Sequence, residues 1–115
     1  MPPAPNFYIK QGSQLPSIRS SIQEIVNGSP SPMNLSVATV EFRMSAEIGQ
    51  PHLFQSAAIV EAPASDGVVK YDWALTDTLI PGIYYAEWVI MIDGDVAVAP
   101  TIGYIIVEVV PSLIS

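Results

Sequence analysis

The spacing of turn signals constrains the fold of this chain more than any other feature. Turn-forming residues recur roughly every eight to twelve positions, including NGSP at residues 27–30, DG at 66–67 and DGD at 93–95. The segments between them alternate apolar and polar side chains or are rich in β-branched and aromatic residues. Residues 37–44 are the clearest case, because every second side chain is apolar. This pattern predicts short, half-buried strands.

The whole chain gives seven or eight such strands, without a convincing helix. The predicted strands cover residues 7–11, 17–26, 37–44, 54–61, 68–73, 81–92, 96–99 and 104–110. Residues 17–26 also fit a helical period, but Pro16 and Pro30 bracket a short run, which favours a strand. The sequence therefore predicts an all-β fold, an antiparallel β-sandwich.

The balance of apolar and charged residues suggests that part of the surface is covered. The chain has 115 residues, enough for one domain. Half of them are hydrophobic and only 13% are charged, against about 25% in ordinary soluble domains. We expect an extended Pro-rich arm at residues 1–6, a sandwich at 7–110 and a tail at 111–115. We also expect a partner protein to cover apolar surface that one small core cannot hold.

Charge and cysteine content exclude several classes of function. Four Lys and Arg against eleven Asp and Glu give a net charge of −7, which argues against nucleic-acid binding. The chain has no cysteine, so we expect no disulfide and no thiolate metal site. Neither a signal peptide nor an apolar run long enough to span a membrane is recognisable. These features favour assembly in a reducing cytoplasm.

The segment PGIYYAEWVIMIDGD, residues 81–95, predicts a long strand that is apolar on both faces. Its Gly82-x-Tyr84-x-Ala86 resembles the Gly-x-Tyr-x-Cys that opens strand F of immunoglobulin domains, with alanine in place of cysteine. This resemblance implies that the Tyr84 hydroxyl bonds back to the backbone and that its face is the core. Trp88 then fills the space that the missing disulfide leaves.

The opposite face of that strand should be polar in a free-standing sandwich. Instead it carries apolar residues, with Glu87 as its only charge, and the last strand is likewise apolar on both faces. We therefore expect an outward docking patch centred on Tyr85 and Val89. Its aromatic residue and methionine are typical of interface cores. The predicted interface residues are Ile83, Tyr85, Val89, Met91, Ile105, Val107 and Val109.

Five segments, in this order, resemble a family of small immunoglobulin-like domains in tailed-phage structural proteins. The family includes the N-terminal domain of phage baseplate upper proteins. The segments are FYIKQGSQLPSIRSSI, NLSVATVEFRM, DGVVKYDWALTDT, PGIYYAEWVIMIDGD and GYIIVEVV, which together span about residues 7–110. The resemblance implies a non-enzymatic virion protein made in the host cytoplasm, whose partners are other virion proteins and copies of itself. It leaves open whether the protein sits at the capsid, neck, tail or baseplate.

Candidate sites for chemistry have simpler structural interpretations. His52 is the one histidine, in a polar loop without metal-ligating partners nearby in sequence. Asp93 and Asp95 could hold calcium, but a type I′ turn needs Asp-Gly in any case. We therefore expect no metal, no cofactor and no catalytic residues.

A carbohydrate-binding module on the virion or cell surface is the main alternative. Exposed tyrosines and loop residues could stack against a host glycan. Trp73 and Trp88 could join such a platform, although filling the core is the favoured interpretation for both rings. A glycan-cleaving enzyme is a weaker alternative, because the acidic residues are spread over turns, loops and polar strand faces.

Overall fold

The computed structural model describes residues 5–47, 53–101 and 103–113, and in these the protein is an antiparallel β-sandwich, as predicted. Eleven strands follow one another within those ranges. They are β1 Phe7–Lys10, β2 Ile18–Ser21, β3 Gln23–Val26, β4 Ser29–Pro32, β5 Ala38–Ser45, β6 Phe54–Ala57, β7 Ile59–Val60, β8 Val68–Tyr71, β9 Gly82–Ile92, β10 Asp95–Ala99 and β11 Ile105–Val110. The one helical element among these residues is a single 3₁₀ turn, Ala64–Asp66.

The strands form two facing sheets and one separate ribbon. The larger sheet has the order β1-β11-β9-β5-β6, with β10 also paired to β9. The smaller sheet has the order β2-β8-β7, and β3 pairs only with β4. All pairs are antiparallel except β1 with β11, which run parallel.

The long strand β9 organises the larger sheet. Along one edge it pairs with β5, from Ile92 opposite Ala38 to Tyr85 opposite Ser45. Its other edge is shared, because β10 pairs with residues 88–92 and β11 with residues 82–86. A two-residue turn, Asp93-Gly94, joins β9 to β10 with φ angles of 50° and 84°. Positive φ at both positions is the type I′ geometry that the Asp-Gly sequence predicts.

The core lies between the two sheets and is rich in aromatic rings. Phe42 on β5 is fully buried and stacks on Tyr71 of β8, with ring centroids 4.9 Å apart. The indole rings of Trp88 and Trp73 pack against the same phenyl ring, at 4.9 and 5.6 Å. These rings bury large apolar areas, so the interpretation of both tryptophans as core residues is confirmed.

Two predicted strands are in fact split. Residues 17–26 form β2, which pairs with β8, and β3, which pairs with β4 instead. Residues 54–61 form β6 and β7, which belong to different sheets. The sequence pattern also missed β4, whose two prolines obscure strand character. β4 lies in an exposed ribbon, where proline is tolerated.

Gly67 fixes the base of the β3–β4 ribbon. Its carbonyl oxygen accepts a hydrogen bond from Ile22 N–H (2.7 Å), and the Ile22 carbonyl accepts one from Met33 N–H (2.9 Å). Gly67 has φ of 72° at the end of the 3₁₀ turn. A Cβ atom there would lie 2.5 Å from the Ile22 carbonyl oxygen. Only glycine fits, and the turn predicted at Asp66-Gly67 is the end of this 3₁₀ turn.

Candidate functional site

The inward face of β9 matches the sequence prediction. Tyr84, Ala86, Trp88 and Ile90 are all buried in the core. The Tyr84 hydroxyl donates a hydrogen bond of 2.5 Å to the Ile80 carbonyl oxygen. The predicted return of this hydroxyl to the backbone is therefore confirmed.

The outward face of β9 carries the four apolar residues predicted for it. Ile83, Tyr85 and Met91 are half-buried on this face. Val89 is only 6% exposed, although it lies outside the core cluster. All four point away from the smaller sheet, and a second protein could contact the three that are half-buried.

The predicted face of β11 is wrong. Val107 and Val109 are 0% and 1% exposed and belong to the core, and Ile105 packs against it. Directly opposite residues of paired strands point to the same side of a sheet. Val107 lies opposite Tyr84 and Ile105 opposite Ala86, so this face points inward with them.

The outward residues of β11 are Ile106, Glu108 and Val110. Ile106 lies opposite Tyr85 and is 8% exposed, outside the core cluster. Sequence reasoning missed Ile106 because both faces of β11 are apolar, and alternation alone does not tell them apart. Glu108 was the available signal, since the one charged residue of a strand marks its solvent side.

Strand β10 extends the apolar outer surface. Val96 lies opposite Met91, and Val98 lies opposite Val89. Both valines are exposed, at 63% and 36%. We define the outward patch as Ile83, Tyr85, Val89, Met91, Val96, Val98, Tyr104 and Ile106.

Aromatic side chains lie at the β11 end of the outward patch. The rings of Tyr85 and Tyr104 meet edge to face, with centroids 6.0 Å apart. Tyr8 on β1 is 58% exposed and lies opposite Glu108, on the same outer surface. This end of the sheet thus presents three tyrosines to solvent or to a partner.

Polar side chains bound the outward patch on the β5 and β6 side. Arg43 donates to Oε1 of Glu87 from Nε (3.0 Å) and from Nη2 (2.8 Å). The amide of Gln55 donates to Oε1 of Glu41 at 2.6 Å. Polar side chains therefore border the apolar surface along β5, and Glu87 divides the outward patch between Tyr85 and Val89.

A second group of exposed aliphatic residues lies at one end of the sandwich. These residues are Leu53, Leu79 and Ile80, which are 51–72% exposed. They line a pocket together with Phe54 and Thr76. Asp77 lies in the same wall, but its carboxylate already accepts bonds from Tyr71 and Ala74. The pocket therefore offers mainly apolar contacts.

No group of three or more metal-ligating residues occurs within 5–47, 53–101 and 103–113. His52 and most of the predicted N-terminal arm, residues 1–4, lie outside the described residues, as do residues 114 and 115 of the tail. Asp93 and Gly94 form the turn described above. The described part of the chain contains no helix with the length and apolar character that a bilayer crossing needs.

No protein-family model matches the chain, and no curated protein matches it.

Proposed function

We propose that the protein is a non-enzymatic structural component of a tailed-phage virion, which docks in several copies through the outward patch. The resemblance of five segments to immunoglobulin-like phage domains motivates the virion assignment. The outward patch motivates the docking role. In this proposal the protein is made in the host cytoplasm and assembles with other virion proteins.

The order of the strands supports an immunoglobulin-like assignment. In those sandwiches strands B, E and D form one sheet, and C, F and G belong to the other. Here β2-β8-β7 occupy the places of B, E and D, and β5, β9 and β11 those of C, F and G. The bond from Tyr84 to Ile80 has the position of the tyrosine corner at the start of strand F.

The apolar outer surface of β9, β10 and β11 is the observation that carries the proposal. Solvated outer faces of antiparallel sheets normally carry polar residues at these positions. Here two aromatic rings, a methionine and five aliphatic side chains lie on this surface, in two groups on either side of Glu87. Aromatic residues and methionine are enriched in interface cores, and covering such a patch removes apolar area from water.

Particle incorporation of charged variants tests the docking role. Ile83→Asp and Tyr85→Asp place a carboxylate on half-buried outward positions, where a partner would have to desolvate it. We expect at least about a tenfold loss of incorporation when each variant is supplied in trans to assembling particles. Ile59→Asp is the matched control, because Ile59 is 45% exposed on the smaller sheet. Normal incorporation of both folded patch variants would refute docking through this face.

A glycan-binding module remains a second candidate, because Tyr8, Tyr85 and Tyr104 are gathered at one end of the outer surface. Aromatic rings of this kind stack on sugar faces. Binding on a glycan array that is lost in Tyr104→Ala, with particle incorporation unchanged, would favour this function. The absence of glycan binding together with failed incorporation of Tyr85→Asp would favour the structural role.

A further inference from the structure

Strand β10 has one paired edge and one free edge. It pairs with β9 through residues 88–92, and no other described strand lies beside it. β1 covers the edge of β11 only, from Val107 to Val110. Beside residues 88–92 of β9, β10 is therefore the edge strand of the larger sheet.

The turn geometry determines which backbone groups of β10 point outward. In a two-residue hairpin the residues that flank the turn exchange hydrogen bonds, and bonded and non-bonded pairs alternate from there. Asp95 and Ala97 therefore bond to β9, whereas the N–H and C=O of Val96 and Val98 point to the free edge. The same alternation along β9 directs the N–H and C=O of Ile106 away from β9. The Ile106 N–H donates to Asn6 Oδ1, and the Ile106 carbonyl oxygen accepts the N–H of Asn6. No described residue satisfies the corresponding groups of Val96 and Val98.

The free edge lacks the usual protection against pairing. Natural edge strands commonly carry lysine, proline, a bulge or an inward-pointing charge. The sequence of β10 is Asp-Val-Ala-Val-Ala, and Val96 and Val98 are exposed on the outward patch. Its one charge, Asp95, lies at the end beside the turn.

We propose that β10 pairs antiparallel with β10 of a second copy, about a two-fold axis through Ala97. In this register Val96 of each copy lies opposite Val98 of the other and exchanges both backbone hydrogen bonds with it. All outward N–H and C=O groups of Val96 and Val98 are then satisfied. The pairing thus joins the two larger sheets into one.

Side chains in this register are compatible as well. The four valines meet on the outer surface, beside Met91 and Val89 of each copy. The small Ala97 side chains face each other on the inner side, and Asp95 lies opposite Ala99, so no like charges are opposed. The register is therefore self-complementary, as a two-fold interface requires.

The contact is small, because only five residues of each edge take part. Stable interfaces bury about 1,200 Å² or more, and a net charge of −7 on each copy opposes association. The isolated protein should therefore dimerise weakly, at high micromolar to millimolar concentration. The proposed function does not specify how copies of the protein contact one another, and this pairing would supply that contact. The pairing rests on the proposed function only because assembly on a virion would bring the copies together.

Amide hydrogen exchange measured by NMR, over about a hundredfold range of concentration that reaches millimolar, tests the pairing residue by residue. We expect the amides of Val96 and Val98 to exchange rapidly in dilute solution and to become at least about tenfold more protected at the highest concentration. The amide of Ala97 bonds to β9 and should be equally protected throughout. A protein that stays monomeric, or dimers in which Val96 and Val98 remain unprotected, would overturn the proposal.

Two substitutions at one position separate backbone pairing from side-chain contact. Val98→Pro removes an outward N–H while sparing the ladder to β9, since proline is tolerated at such edge positions. It should abolish dimerisation in sedimentation equilibrium, whereas Val98→Thr keeps the amide and should dimerise within about threefold of the original chain. Unchanged dimerisation of a folded Val98→Pro variant would refute edge pairing. Normal particle incorporation of that variant, with failed incorporation of Tyr85→Asp, would reject the pairing and retain the proposed function.

Discussion

The phenol hydroxyl of Tyr71 donates a hydrogen bond of 2.6 Å to Oδ2 of Asp77. The same carboxylate oxygen accepts the backbone N–H of Ala74 at 2.8 Å, so one acidic side chain joins β8 to the loop that follows it. Tyr71 itself is 3% exposed and stacks on Phe42. Burial, followed by the bond to Asp77, raises the pKa of Tyr71 from 10.0 to about 12.

This pKa predicts a loss of stability in alkaline solution. The folded state holds the phenol proton more tightly than the unfolded state, so the stabilisation is complete below pH 10 and disappears as pH rises to about 12. A difference of that size is worth about 2 to 3 kcal/mol. Urea unfolding of Tyr71→Phe should show a correspondingly smaller fall between these pH values.

Burial also raises the pKa of Tyr84, so part of the alkaline loss should persist in Tyr71→Phe. Phenolate absorbance during a pH titration would show directly whether Tyr71 ionises at a higher pH than an ordinary tyrosine. An alkaline fall of the same size in Tyr71→Phe and the original chain would contradict the assignment to Tyr71.

Gly67→Ala should destabilise the fold by about 2 kcal/mol or more, because left-handed backbone and a backbone clash add. The added methyl group would lie 2.5 Å from the Ile22 carbonyl oxygen, which cannot move without disturbing the base of the ribbon. Gly28→Ala is the control, since it has a similar φ of 80° but open space around it. Its cost should be about 1 kcal/mol. Equal costs in chemical denaturation would show that the close contact is unimportant.

Ser20→Ala should cost about 1 to 3 kcal/mol, because it leaves a buried donor without a partner. The indole N–H of Trp88 donates to the Ser20 hydroxyl oxygen at 2.8 Å and thereby links β9 to β2 across the core. Ser21→Ala changes the adjacent exposed serine and should be nearly neutral. Thermal unfolding of both variants measures the difference, and two equally stable variants would count against the cross-sheet bond.

Val107→Thr and Val110→Thr test the corrected face of β11 with the same change in chemistry. Val107 is fully buried among apolar side chains, so its new hydroxyl should cost about 1 to 3 kcal/mol. Val110 is half-buried on the outer surface, where the cost should stay below about 1 kcal/mol. The opposite ranking in urea unfolding would restore the face predicted from sequence.

Local chemistry made much of the fold predictable. Period-two alternation located β5, a run of β-branched and aromatic residues located β9, and Asp93-Gly94 adopts the turn that its sequence favours. The resemblance around Tyr84 correctly indicated its bond to the backbone. Each of these features is decided by residues close together in the chain.

What the sequence could not supply depends on pairing between distant segments. The face of β11 follows from Val107 lying opposite Tyr84, and within the strand Glu108 is the one local indication of that register. The splits at Ile22 and between β6 and β7 arise because the chain changes sheet there. The exposed edge of β10 likewise becomes apparent only when its neighbours are known.

The parallel pairing of β1 with β11 has a mechanical consequence. Tension applied between the two ends of the described chain would pull these strands in opposite directions along their length, since Phe7 pairs with Val107 and Lys10 with Val110. The bonds between them, together with those of Asn6 and Gln11 to β11, would bear that load simultaneously in shear. An antiparallel terminal pair would instead open one bond at a time. We therefore expect the sandwich to resist unfolding when force is applied between these two ends.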